Sequence, residues 1–150
     1  GSLSLLSLAP EEMKHPLLVL NGDIITKLNL KKLINFHKKN RADLTIATRE
    51  FSSQIPYGVL HSKNNRLLSI KEKPINNFQV NAGIYVINPK ILTLLKHDKK
   101  IDMPEFINKV LTKKKKIMCY TVNDYWKDIG SPRDLDIAKS EYVSIFSHEK

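Results

Sequence analysis

The chain has 150 residues, a formal net charge of +10 and 41% hydrophobic residues. This length suits one ordinary domain with a buried core, and no apolar run approaches the about 20 residues of a membrane-spanning helix. The single cysteine, Cys119, excludes an internal disulfide; with no recognisable secretion signal, a cytoplasmic protein without a membrane partner is expected.

The first part of the chain predicts a strand, a helix and a second strand. Residues 3–8 are predicted to end a helix, and the apolar run 17–20 to form a buried strand that stops at a turn. Asn29 can cap the next helix, and residues 43–48 form the following strand. The apolar face of that helix recurs at helical spacing: Leu30, Leu33, Ile34 and His37. This order predicts a parallel crossover unit.

The rest of the chain predicts further strands and then helices. Three strands follow one another without an intervening helix, which favours antiparallel or mixed pairing: residues 57–61, 67–71 and 79–87. Three helices are predicted to start where a capping residue stands near a proline: at Asn88, Asp102 and Ser131. One more strand is predicted at residues 117–122. The expected fold class is therefore α/β, with no recognisable repeat or second domain.

Two aspartates are candidate metal ligands. Asp23 follows the first apolar strand, and Asp128 follows a short aromatic strand and precedes a helix. Ligands of open α/β sheets bind beyond the carboxyl ends of strands, and carboxylate oxygens suit a hard cation such as Mg²⁺. A cation between them could bridge nucleotide phosphates. The alternatives are an Asn-Gly hairpin turn before Asp23, and capping of the last helix by Asp128 and Ser131.

Lys73 is a candidate phosphate ligand. It lies in Glu72-Lys73-Pro74, and strand alternation predicts Lys71 and Lys73 on one face with Glu72 on the other. Because proline ends the strand, the ammonium group of Lys73 would lie at the mouth of a site, where it suits a phosphate. The alternative is a charged strand end at the surface.

Asn81 and the glycines form the third candidate group. Gly83 lies within the strand 79–87 and shares a face with Asn81, so an amide beside a bare backbone could bind a hydroxyl. The alternative is a β-bulge. Close backbone approach is also suggested by the glycines in or beside these motifs: Gly22, Gly58, Gly83 and Gly130.

Five segments, in this order and over nearly the whole chain, resemble the sugar nucleotidyltransferases, also called NDP-sugar pyrophosphorylases. They are residues 19–23, 57–59, 72–74, 80–86 and 126–130. The pattern is similar to bacterial sugar-1-phosphate guanylyltransferase-like members. The resemblance implies a three-layer α/β sandwich with a mixed central sheet. It also implies transfer of a nucleotidyl group from a nucleoside triphosphate to a sugar 1-phosphate, with release of pyrophosphate.

The resemblance further implies a role for each candidate residue. Asp23 and Asp128 would hold a catalytic Mg²⁺, and Lys73 would bind the phosphate of the sugar 1-phosphate. The sugar hydroxyls would be bound by side chains and by backbone groups at four positions: Gly58, Glu72, Asn81 and Gly83. Such chemistry rests on positioning and charge neutralisation, so it needs no protein nucleophile.

The chain departs from the family pattern at one point. No segment resembles the G-x-G-x-R-L loop that holds the triphosphate in this family. Residues 1–150 are therefore expected to be the C-terminal part of a nucleotidyltransferase domain, incomplete at the N-terminus. This part would keep the sugar-phosphate- and metal-binding half, lack the nucleotide-binding half and be inactive alone.

Two other kinds of function stay open. The chain could be a non-catalytic module that binds a sugar phosphate or a partner chain, including a second copy of itself, because a truncated sheet exposes an edge. The basic charge also suits a nucleic-acid-binding domain. The lysine run 113–116 contains no aromatic residues, however, so nucleic acid is not the expected partner.

Overall fold

The computed structural model describes Leu3, Leu6 and residues 13–95 and 101–146. The chain divides into two compact units. We call residues 1–48 with 81–150 the core unit, and Arg49–Val80 the hairpin unit. The predicted helix end at residues 3–8 lies, apart from Leu3 and Leu6, outside the described residues.

A four-stranded sheet of strand order β1-β6-β3-β7 organises the fold. β1 (Leu17–Leu20) pairs antiparallel with β6 (Ile75–Ile87), and β3 (Leu44–Gln54) pairs parallel with β7 (Ile117–Thr121). The predicted mixed sheet is therefore confirmed. The helix after β1 does lead to a strand of the same sheet, but β6 lies between β1 and β3.

Helices contribute apolar side chains to the core on each of the two faces of this sheet. Alternate residues of β6 belong to two apolar clusters: Ile84 lies with Leu33 of α1 (Leu30–Lys39), and Ile87 lies with Phe106 of α2 (Met103–Thr112). A strand buried on both faces needs apolar residues at every position, which explains why β6 ends in an unbroken apolar run. The result is a three-layer α/β arrangement, as the family resemblance implies.

Capping residues set where the helices begin. Three predicted starts are confirmed by a side-chain oxygen that accepts from the backbone N–H three residues on: Asn29 from Lys32 at 3.0 Å, Asp102 from Glu105 at 2.8 Å, and Ser131 from Asp134 at 3.2 Å. The last of these begins α3 (Pro132–Phe146). The segment Pro89–Leu94 differs from its prediction, because it forms a 3₁₀ helix of six residues instead of an α-helix. None of the described helices is long and apolar enough to cross a bilayer.

Two small two-stranded sheets complete the fold. In the core unit, β2 (Ile24–Thr26) pairs antiparallel with β8 (Trp126–Asp128), and we call this pair the ribbon. In the hairpin unit, β4 (Val59–Lys63) pairs antiparallel with β5 (Arg66–Lys71). The two residues between β4 and β5 are Asn64 and Asn65, with φ of 49° and 63°. Positive φ at both positions is typical of the tight turns that join hairpin strands, and asparagine tolerates it well.

Candidate active site

The ribbon brings the two predicted metal ligands together. Asp23 lies in the turn between β1 and β2, and Asp128 is the last residue of β8. Ile24 pairs with Asp128, and the N–H of Ile129 donates to the carbonyl of Asp23 at 2.8 Å. β1 and β2 belong to different sheets, so the Asn-Gly pair before Asp23 does not close a hairpin between them.

The carboxylates of Asp23 and Asp128 face the same point beside Gly130. A Cβ atom placed on Gly130 would lie 3.0 Å from Oδ1 of Asp128 and 3.6 Å from Oδ2 of Asp23. Both aspartates are exposed, and within the described residues no lysine, arginine or histidine forms an ion pair with either. Two carboxylates that face one point without a cationic partner repel each other, and a shared cation would relieve that repulsion.

The donor set at this point fits a magnesium ion. Mg²⁺ prefers oxygen ligands, and it usually binds through one or two carboxylates while keeping waters and substrate phosphates. Across residues 13–95 and 101–146, no group of three or more His, Cys, Asp or Glu side chains could form a complete protein cage for a metal. The absence of a side chain at Gly130 leaves the space between the two carboxylates open.

A local hydrogen bond orients Asp128. Its Oδ1 accepts from the backbone N–H of Gly130 at 2.8 Å. The alternative that both Asp128 and Ser131 cap the last helix holds only in part, because Ser131 makes the cap and Asp128 bonds to Gly130. The carboxylate of Asp128 is thus fixed at the end of the ribbon.

Contacts that no local sequence pattern indicates hold β8 in place. The indole Nε1 of Trp126 donates to the carbonyl of Ala82 on β6 at 2.8 Å. Oε2 of Glu141, on α3, accepts from Oη of Tyr125 at 2.8 Å and from Nζ of Lys127 at 3.0 Å. The hydrogen bonds from Lys127 and Tyr125 lower the pKa of Glu141. The pKa of Tyr125 is raised, mainly by burial and to a smaller extent by the contact with Glu141. No local sequence pattern links Glu141 to β8, so only the folded chain shows this contact.

Asp23 also lines an open pocket of about 770 Å³. Its other polar lining residues come from β6, the turn after β1 and the start of α2: Asn21, Asn81, Tyr85 and Asp102. The predicted metal ligand Asp23 and the predicted sugar ligand Asn81 therefore line one cavity. Tyr85 could have been found from sequence, because it lies four residues after Asn81 on a strand and alternation places both on one face.

Within this pocket, the amide of Asn81 is already engaged. Its Nδ2 donates to Oη of Tyr85 at 2.7 Å, and its Oδ1 accepts from the N–H of Gly83 at 3.0 Å. Tyr85 is buried, and burial raises its pKa while the contact with Asn81 opposes the rise. Gly83 has φ of +71°, and a Cβ there would lie 2.8 Å from Nδ2 of Asn21. The predicted close approach at Gly83 is thus made by the side chain of Asn21.

The other three predicted ligands lie in the hairpin unit. A Cβ on Gly58 would lie 2.9 Å from Oε2 of Glu72, and the N–H of Lys73 donates to the carbonyl of Tyr57 at 3.2 Å. The predicted alternation through Lys71 and Lys73 is wrong, because β5 ends at Lys71 and Lys73 has φ of +43°. A left-handed backbone costs a residue other than glycine about 1–2 kcal/mol, so Lys73 is held in a strained conformation.

Comparison with known proteins extends these observations. The Nucleotidyl transferase family matches residues 3–144. The chain is 31% identical over 156 residues to mannose-1-phosphate guanyltransferase of Pichia angusta, covering 98% of this chain and 42% of that protein. It is 33% identical over 129 residues to glucose-1-phosphate adenylyltransferase of Clostridium acetobutylicum, covering 78% of this chain and 34% of that protein. It therefore spans less than half the length of these relatives.

A solved structure agrees with the fold. HddC from Yersinia pseudotuberculosis superposes with a TM-score of 0.61 and 26% sequence identity, covering 93% of this chain and 61% of that one. The family match includes the turn that holds Asp23, the pocket strand β6 and the ribbon strand β8. Because the match spans most of the sequence and the three-layer fold agrees with it, the resemblance is confirmed: this chain belongs to the nucleotidyl transferase family, among its sugar nucleotidyltransferases.

Proposed function

We propose that this chain is the metal- and sugar-phosphate-binding part of an enzyme that transfers a nucleotidyl group from a nucleoside triphosphate to a sugar 1-phosphate. The observation that carries the proposal is the approach of Asp23 and Asp128 to one point beside Gly130. The relatives named for transfer to mannose 1-phosphate and glucose 1-phosphate support the reaction class. A single cysteine supports a cytoplasmic setting for this enzyme.

Asp23 and Asp128 are the proposed ligands of Mg²⁺. When bound, the ion supplies positive charge that offsets the charge of the nucleotide phosphates. The chain's own groups prepare the site: the N–H of Gly130 orients Asp128, and the N–H of Ile129 fixes the backbone of Asp23. Catalysis would then depend on positioning and electrostatics, which agrees with two aspartates that are held by hydrogen bonds from backbone N–H groups.

The proposed sugar 1-phosphate ligands are of two kinds. Lys73 is exposed, and its ammonium group suits a phosphate, while the carboxylate of the neighbouring Glu72 suits a sugar hydroxyl. Gly58 allows close backbone approach beside Glu72. In the core unit, Asn81 lines the pocket that Asp23 also lines and is proposed to contact the sugar. Gly83, whose N–H donates to Asn81, is proposed to assist through its backbone. Strain at Lys73 supports its role, because strained backbone is concentrated at functional sites.

The metal assignment can be tested by substitution of one aspartate. In a full-length enzyme that contains these residues, Asp23→Asn should lower the rate of pyrophosphate release by about a thousandfold, because one of the two carboxylates that face the cation loses its negative charge. Asp136→Asn, at an exposed position on α3, is the matched control and should retain full activity. Full activity of Asp23→Asn would remove the metal assignment.

The expectation that this chain binds the metal but is inactive alone can be tested on the chain itself. Since the sequence contains no glycine-rich triphosphate loop, the 150-residue chain alone should release little pyrophosphate from any triphosphate and sugar 1-phosphate. Calorimetric titration with Mn²⁺ should nevertheless detect one metal-binding site, and Asp23→Asn should abolish it. Rapid pyrophosphate release by the chain alone would contradict the proposal that it holds only this part of the machinery.

A further inference from the structure

The ribbon that carries Asp128 has little support of its own. Both of its strands are three residues long, and they pair only with each other in the described sheets. An isolated two-stranded sheet is at best marginally stable in water, because too little apolar surface is buried between two strands. Contacts from outside the ribbon must therefore help to keep the carboxylates of Asp23 and Asp128 beside Gly130.

Glu141 on α3 supplies such contacts on one face of β8. Its Oε2 accepts hydrogen bonds from Tyr125 and Lys127, at 2.8 Å and 3.0 Å. Side chains of an extended strand alternate between faces, so these two residues lie opposite Trp126 and Asp128. On the other face, Trp126 bonds to the carbonyl of Ala82. β8 is thus held from both faces, with α3 on the side away from Asp128.

A second group of contacts joins α3 to the segment after β2. The ring of Phe146 packs edge-on against Tyr125 with 6.0 Å between centroids, and Nζ of Lys27 lies 5.1 Å from the centroid of Phe146. Lys27 directly follows β2, and its N–H donates to the carbonyl of Tyr125 at 2.9 Å. α3 therefore contacts a residue next to each ribbon strand, at the end of the ribbon opposite Asp23 and Asp128.

We propose that Glu141 is a positioning residue for the two carboxylates. Through Tyr125 and Lys127 it holds the ribbon so that Asp23 and Asp128 keep the spacing at which they share one divalent cation. The role in cation binding rests on the proposed function. Glu141 acts through β8 and not at the cation, since its oxygen is occupied by two donors on the opposite face of the strand.

Hydrogen exchange in the metal-free chain tests the positioning directly. Glu141→Gln keeps the size of the side chain but removes its charge. The ribbon amides, and the neighbouring amide of Ile129 that donates to Asp23, should therefore exchange about tenfold faster. Tyr125→Phe should act in the same direction, since it removes one donor and keeps the ring. Asp136→Asn is the control, because it breaks only the exposed pair with Lys139 on the same helix. Unchanged ribbon exchange in both Glu141→Gln and Tyr125→Phe would overturn the inference.

Mn²⁺ titration separates the inference from the proposed function. Loss of a supporting contact typically weakens a metal site, and we expect Glu141→Gln to bind Mn²⁺ about tenfold more weakly than the native chain. Circular dichroism would confirm that the variant keeps its helix content. Equal Mn²⁺ affinity in the two chains would overturn the inference. A native chain that binds no Mn²⁺ at all would contradict the proposed function, while the exchange experiment would still decide whether Glu141 holds the ribbon.

Discussion

The core unit and the hairpin unit contain similar apolar strands but bury them very differently. Leu33, Ile84 and Phe106 of the core unit are fully buried, whereas Leu68 and Ile70 of the hairpin unit are each 63% exposed. In the core unit, helices contribute to the core on both faces of the sheet. Within residues 49–80, which are all described, there is no helix. An apolar run thus predicts a strand in either unit, but a second layer is needed to bury it.

The hairpin unit is ordered mainly by local backbone chemistry. Its turn uses two asparagines with positive φ, and Leu60 faces Ile70 as a cross-strand pair. Most of its large apolar side chains are exposed: Phe51, Tyr57, Leu60, Leu67, Leu68, Ile70, Ile75 and Phe78. We therefore expect the core unit to respond to changes in packing, and the hairpin unit to respond to changes in backbone conformation.

The largest difference should appear when a large apolar side chain is truncated. Phe106→Ala removes a fully buried ring and should lower the free energy of unfolding by about 3–5 kcal/mol, because it loses apolar burial and leaves a cavity. Leu68→Ala, at an exposed site, should change it by less than about 0.5 kcal/mol. Urea unfolding measures both, and equal losses would contradict the contrast between the units.

Glycine substitutions should also affect the two units differently, with smaller changes in the free energy of unfolding. Gly83→Ala should cost about 1–2 kcal/mol, because φ is +71° and the new Cβ would meet Asn21. Gly58→Ala should cost less, since the nearest atom is the mobile end of Glu72 and φ is not left-handed. Gly22→Ala meets no atom within 4 Å and serves as the neutral control. Thermal unfolding should rank the three variants in this order, and a cost at Gly22 as large as at Gly83 would be inconsistent with the structure.

Relief of backbone strain should stabilise the hairpin unit. Lys73→Gly should remove the strain of the left-handed backbone, which costs about 1–2 kcal/mol. Because glycine also makes the unfolded chain more flexible, the net increase in the free energy of unfolding should be about 0.5–1 kcal/mol. In a full-length enzyme, the same change should raise KM for the sugar 1-phosphate, because the ammonium group is lost. Lys71→Gly, at the end of a regular strand, should instead destabilise. Destabilisation by both changes would argue against strain at Lys73.

A pH-dependent contribution should come from the buried histidine of the core unit. Burial lowers the pKa of His37 below 6.5; the nearby carboxylate of Asp43 opposes this shift, and Lys38 adds to it. Nδ1 of His37 lies 2.9 Å from Oγ1 of Thr45. As the pH is lowered, His37 takes up a proton near pH 6.5 in the unfolded chain but only at a lower pH in the folded chain. The free energy of unfolding should therefore be highest above pH 6.5 and should decrease as the pH drops below that value.

Two histidine variants check this expectation in urea titrations between about pH 5 and 8. His37→Gln cannot take up the proton, so its stability should depend less on pH than that of the native chain. His61→Gln, at an exposed position of the hairpin unit, should leave the native pH dependence unchanged. Parallel curves for the native chain and His37→Gln would show that burial of His37 carries no penalty for protonation.

Elements with a complete local signal could be predicted from the sequence. β1 is an unbroken apolar run, and α1 combines a cap at Asn29 with an apolar face. β2 was missed, because three residues after a turn carry no period and their partner lies far along the chain. β6 begins at Ile75, before its predicted start, because its first half is exposed and polar enough to hide the strand.

The candidate site follows the same rule. Asp23 and Asp128 could be predicted as acids at strand ends, since that signal is local. Their approach to Gly130 depends on strand pairing, and the contact from Glu141 depends on where α3 packs, so neither is encoded in a short segment. The left-handed backbone of Lys73 was hidden for a related reason, because lysine before proline carries no signal for positive φ.

The anchoring of Trp126 to Ala82 gives the ribbon a built-in optical reporter. Trp126 is the only tryptophan in the sequence and lies two residues before Asp128. Its indole fluorescence therefore comes from the strand that carries a proposed metal ligand, without any label. Loosening of the ribbon would let water reach the indole and shift its emission to longer wavelength, while a paramagnetic ion held by the aspartates would quench it.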